Sequence, residues 1–172
     1  MFYFVRHGKT DYSERNTKIY QGFGVNLAPL SELGVKQIKE TAKDERLKGT
    51  ELILSSPYTR AVQTAAILSK ELGADIVIET DLHECLACRD FSYDDMLVEN
   101  AYKEYQANHG VHPSGEEKTW EDAASIRARV IRVLEKYSHY GKVVIAGHGL
   151  MIQATAGGDL PRNGEIVEFE LL

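Results

Sequence analysis

The sequence predicts an α/β protein, a three-layer α/β/α sandwich whose central sheet is mostly parallel, with an edge strand at the C-terminus and a small helical cap inserted over one end. Three observations carry this. Short apolar runs at residues 2–5, 52–54, 76–78 and 143–146 lack strict polar alternation, as strands buried on both faces do. Stretches with helical spacing separate them. The first, second and fourth runs break at once into turns with reactive side chains: Arg6-His7-Gly8, Ser55-Ser56-Pro57 and Gly147-His148-Gly149. Open α/β sheets keep their ligand sites at such strand ends.

Taken in order, Phe2-Tyr3-Phe4-Val5 is the first strand, and Gly8 lets the backbone turn where Arg6 and His7 emerge. Residues 11–28 are polar and punctuated by Gly22 and Gly24, which predicts a long loop over that strand end. Lys9, Arg15 and Lys18 concentrate positive charge there, suiting an anionic ligand or a solvated face. Ser31 is placed to cap a helix with Val35, Ile38 and Ala42 on its buried stripe. After the second strand, Ser55-Ser56-Pro57 predicts a helix with serine at the cap and proline at the first helical position. Ala61, Ala65, Leu68 and Leu72 form its stripe, Gly73 ends it, and Arg60 falls in its first turn. An arginine beside the positive end of a helix dipole is misplaced unless it shares an anion with the free backbone amides.

The third strand delivers Glu84, a candidate carboxylate. Residues 85–115 lose sheet character, and Asp90, Asp94 and Asp95 interleave with Phe91, Tyr93, Tyr102 and Tyr105, which reads as the helical cap. Thr119 with Asp122 three residues later predicts the start of the last long helix, with Ala123, Ile126, Val130, Val133 and Tyr137 buried and its charges solvated, a scaffold element. The fourth strand presents a second histidine, His148, and Gly149 lets the chain pass close to a ligand. Residues 166–171 alternate with Glu168 and Glu170, the pattern of a half-exposed edge strand.

With 172 residues the length fits one domain with its cap at about 85–115. The composition is 43% hydrophobic and 27% charged, and the net charge of -6 argues against nucleic acid or an anionic membrane as partner. The expected partner is a small phosphorylated metabolite. Met1 leads straight into the first strand without a signal-like segment, and no apolar run nears the roughly 20 residues of a membrane span, so a cytoplasmic protein is expected.

Two histidines, two arginines and a carboxylate at strand ends or a helix start suit phosphoryl transfer. Guanidiniums match phosphate oxygens in bidentate fashion, and a neutral imidazole is a competent nucleophile. A carboxylic acid can protonate the leaving alkoxide and then, as carboxylate, activate water. This set needs neither a metal nor another cofactor.

These residues resemble the histidine phosphatase superfamily, the phosphoglycerate-mutase-like proteins, in its acid-bearing branch. Arg6-His7-Gly8 is similar to the family's opening motif, Ser55-Ser56-Pro57 through Arg60 to Gln63-Thr64-Ala65 to its second, and Gly147-His148-Gly149 to its last. Gln21-Gly22, Pro29-Leu30-Ser31 through Gly34, and Asn163-Gly164 also fit. The resemblance implies that His7 is phosphorylated, that Arg6, Arg60 and His148 hold the phosphoryl group, and that Glu84 is acid and base. It adds Ser13, Gln21, Gly22 and Gly149 as substrate-binding positions. The family often has glutamate where this chain has Lys9, and asparagine where it has Ser13, whose role Asn16 could take. The short excursion after Glu84 favours a monoester phosphatase over a phosphoglycerate mutase. A protein-phosphohistidine phosphatase and a non-catalytic phospho-ligand module are the remaining readings. Cys85 and Cys88 with His109 and His112 have the ligand types of a zinc site, or are two reduced thiols and two loop histidines.

Overall fold

A computed structural model describes residues 1–15, 17–89 and 93–171; Asn16, Asp90 and Phe91, and the Lys18 side chain, lie outside the described set. The strands are β1 (Phe2–Arg6), β2 (Leu52–Ser55), β3 (Asp75–Ile78), β4 (Val143–Gly147) and β5 (Ile166–Phe169). They form one sheet in the order β3-β2-β4-β1-β5. The pairs β1–β4, β2–β4 and β2–β3 are parallel, and only β5 runs antiparallel, against β1. The C-terminal strand is thus an edge, as its alternation predicts, and it ends at Phe169 rather than 171.

The helices are α1 (Glu32–Thr41), α2 (Thr59–Leu72), α3 (Asp95–Ala107), α4 (Ala123–Lys136) and α5 (Gly149–Ala156). Side-chain alternation along the strands sorts the apolar residues into two cores. Val5, Ile53, Val144 and Ala146 face Ile38, Ala65 and Leu68 of α1 and α2. Phe2, Phe4, Leu54, Val143 and Ile145 face Ile126, Val130 and Val133 of α4 and Met151 of α5. Helices therefore cover both faces of the sheet.

Ser31 caps α1 as its position predicts, its Oγ accepting from the Gly34 amide at 3.1 Å. Gly73 ends α2 in the left-handed region at φ 72°. Two predicted starts move. The α2 helix begins at Thr59 because the Ser56 hydroxyl is engaged elsewhere, taking the Tyr58 amide at 3.3 Å and facing His148 at 2.7 Å, while Tyr58 stays extended. For α4, Asp122 rather than Thr119 is the cap, its carboxylate accepting from the Ser125 amide at 2.6 Å. Nor is α4 only scaffold: Arg129, at the edge of the stripe formed by Val133, Ile126 and Val130, is buried.

Candidate active site

The carboxyl ends of β1, β2 and β4 and the segment after β3 converge on a cavity of about 490 Å³, lined among others by Arg6, His7, Arg60 and Glu84. The loop after β1 forms one wall and α3 another.

His7 is buried at the end of β1. Its Nδ1 lies 2.7 Å from the Gly8 carbonyl, so Nδ1 carries the hydrogen, and Arg60 Nε donates to Nε2 at 3.3 Å. The ring is the neutral tautomer with its Nε2 lone pair turned toward the arginine. Burial, then the charge of Arg60, and lastly Arg6, push its pKa down to about 3, with the Gly8 carbonyl pulling the other way.

The motif residues around it hold backbone. Thr64 Oγ1 accepts from the Gly8 amide at 3.4 Å, and Asn163 Nδ2 donates to the His7 carbonyl at 2.8 Å. Gly8 lies against the start of α1: a Cβ on Gly34 would stand 2.2 Å from the Lys9 carbonyl oxygen. Glycine is required there by close approach of two backbones.

Arg60 enters from the first turn of α2, stacks on Tyr58 with its guanidinium carbon 5.0 Å from the ring centroid, and donates from Nη1 to Asn26 Oδ1 at 3.3 Å. Arg6 donates from Nη1 to the Pro161 carbonyl at 2.5 Å. A Cβ on Gly149 would stand 3.2 Å from Arg6 Cζ, so glycine admits the guanidinium. His148 is fully buried behind His7, ring centroids 5.3 Å apart. Burial first, then Arg60, hold its pKa well below the ordinary imidazole value. Among the described residues, Arg6 Nε and His148 Nδ1 are buried without a hydrogen-bond partner. Such atoms are rare in folded chains, and here two of them belong to residues grouped with His7, Arg6 beside it in sequence and His148 against its ring.

Glu84 is held by backbone. Its Oε1 accepts from the amides of Cys85 at 2.8 Å and Met151 at 3.0 Å, and its Oε2 from Leu150 at 3.3 Å, at the amino end of α5. Beneath it runs a pair the sequence reading missed. Arg129 and Glu121 meet in a two-point ion pair, Nε–Oε1 at 2.7 Å and Nη2–Oε2 at 2.9 Å, both side chains buried. Arg129 also donates to the carbonyls of Asp81 at 2.5 Å and Glu84 at 3.4 Å, and Glu121 Oε2 accepts from the Leu86 amide at 3.3 Å. The pair fastens both sides of the segment that carries Glu84. Arg129 borders the apolar stripe of its helix, a place where a long charged side chain can lie solvated or enclosed.

Ser13 does not reach this cavity. It lies with Asp11 and Glu14 on a smaller pocket, its amide on Asp11 Oδ1 at 2.9 Å. Gln21 and Gly22 do not line the cavity, whereas Phe23 and Val25 of the same turn do. Asn26, absent from the sequence-based set, occupies the wall instead. Cys85, Cys88, His109 and His112 are not gathered: no group of three or more potential metal ligands occurs among the described residues, and the His112 ring lies 3.0 Å from the Trp120 carbonyl.

Comparison with known proteins agrees with this arrangement. The chain is 30% identical over 160 residues to a candidate phosphoserine phosphatase of Hydrogenobacter thermophilus, covering 88% of this chain and 74% of that one. It is 30% identical over 161 residues to the uncharacterized phosphatase PhoE of Bacillus subtilis, covering 90% and 77%. The fold matches mycobacterial glucosyl-3-phosphoglycerate phosphatase with a TM-score of 0.69 at 21% identity, over 96% of this chain and 87% of that one. Residues 2–160 match the family model of the histidine phosphatase superfamily, branch 1, and the chain belongs to that family.

Proposed function

We propose that the protein hydrolyses small phosphate monoesters through a covalent phosphohistidine on His7, without a metal ion. The observation that carries this reading is the pairing of a neutral His7, its Nε2 lone pair held only by Arg60 Nε, with two buried nitrogens that have no hydrogen-bond partner, Arg6 Nε and His148 Nδ1. An arriving phosphoryl group takes over Arg60 from the imidazole and gives both orphaned nitrogens an acceptor. His7 Nε2 then attacks phosphorus, the N–P bond forms, and the P–O ester bond breaks. Glu84 passes its proton to the leaving alcohol oxygen, from Oε2, whose amide contact is the longer. In the second half Glu84 takes a proton from water, whose oxygen displaces the histidine and releases inorganic phosphate.

Rapid quench of the enzyme with labelled monoester should trap an acid-labile, alkali-stable phosphoenzyme, absent from the His7→Ala variant. A phosphoenzyme that persists in that variant places the nucleophile elsewhere.

A further inference from the structure

The cavity is much larger than a phosphoryl group, and the part left over has its own chemistry. Away from Arg6, His7 and Arg60 its wall includes Tyr12 and Phe23 from the loop, Tyr93, Val98 and Tyr102 from the α3 side, and Leu150 from α5. Phe23 and Tyr102 leave 38% and 48% of their surface exposed, so an occupant that covers them removes aromatic area from water. Lys9 apart, charge among the described residues of this wall is already committed. Arg15 is bound to Asp95 at 2.8 Å and to the Tyr93 hydroxyl at 3.2 Å, which joins the loop to α3 across the mouth, and Glu84 is tied to three amides. An ammonium on the alcohol would lose its water here against rings, and a carboxylate would find Lys9 as its one uncommitted partner among those residues.

We propose that the ester this site takes carries an uncharged, ring-bearing alcohol of about two fused rings, in preference to a short charged alcohol such as a glycerate or an amino acid. The proposal rests on the monoesterase reading, and it places the phosphoryl group at His7 and the rings between the loop carrying Phe23 and the helix carrying Tyr102. Cavities of this size commonly bury such ligands with a few polar groups fixing one end.

The test uses primary alkyl esters, so that leaving alkoxides of similar basicity are compared: ethyl, 2-phenylethyl and 2-(naphthyl)ethyl phosphate, with 3-phosphoglycerate and O-phosphoserine. The kcat/KM should rise along the ring series, roughly 10–100-fold from ethyl to naphthylethyl. Tyr102→Ala should lower the naphthylethyl-to-ethyl ratio several-fold, mainly through KM. Binding of 2-(naphthyl)ethylphosphonate and ethylphosphonate to the wild-type protein, measured by calorimetry, reports on the rings without turnover. A flat series, a preference for phosphoglycerate or phosphoserine, or a ratio untouched by Tyr102→Ala overturns the proposal. Absence of phosphate release from every ester would instead overturn the monoesterase reading, and the phosphonate pair would still decide whether the wall selects rings.

Discussion

Neutral imidazole at His7 is the centre of the proposed chemistry, and it has a thermodynamic signature. Burial pushes His7 from the ordinary 6.5 to about 3 and His148 well below 6.5. Between those values the unfolded chain binds more protons than the folded one, so stability is fully present above about pH 6.5 and is lost as the pH falls toward 3. Each group contributes a slope of roughly 1.4 kcal/mol per pH unit inside its window. Denaturant melts at pH 7 and pH 5 should show a smaller loss for His7→Asn than for wild type, and parallel losses would remove His7 as a source. Glu84 gives a different measurement. Glu84→Gln should slow phosphoenzyme formation from an alkyl phosphate by roughly 10²–10⁴-fold, and from p-nitrophenyl phosphate, whose phenolate needs little protonation, far less. Equal losses would make Glu84 a positioning residue. At this scale, His7, Arg6, Arg60 and Glu84 were legible because each sits one turn beyond an apolar run. Arg129 and Glu121 were not, since a charge on a helix edge or in the segment before it is ordinarily solvated and only tertiary packing shows which one is enclosed.

Among the elements, the His7 loop and the start of α1 approach each other backbone to backbone in the site's support. Gly34→Ala would place a Cβ 2.2 Å from the Lys9 carbonyl oxygen, and backbone must move to admit it. The variant should lose about 10-fold or more in kcat/KM and about 1–3 kcal/mol of stability, though residue 34 lies outside the cavity lining. Leu33→Ala, at a 51% exposed position of the same turn, is the control and should leave both nearly unchanged. Helix identities were legible from their stripes, and the caps less so. Ser56 resembles a cap by sequence, yet its hydroxyl serves His148 and the Tyr58 amide. Thr119 resembles one too, but its Oγ1 donates to the Ala87 carbonyl at 3.2 Å, leaving the role to Asp122. Local patterns cannot rank competing partners that only the fold brings near.

At the scale of the whole molecule, a chain of net charge -6 concentrates Arg6, Arg60 and Lys9 around one cavity, a local field suited to an anion. Turnover should therefore persist in excess chelator. Its loss there, with recovery on adding magnesium or manganese, would contradict metal independence. The sheet class and the C-terminal edge strand were legible, but the antiparallel direction of that strand and the order β3-β2-β4-β1-β5 depend on pairings between distant segments that periodicity does not encode. That order bears on how the protein is made. The strand that carries His7 pairs with residues 143–147 and 166–169, which are synthesised more than a hundred residues after it. Throughout that interval Phe2–Arg6 is an apolar strand with neither of its edges satisfied by these partners. The nascent chain thus carries His7 long before it can hold it in place, and the cavity is completed late, when β4 and β5 close around β1.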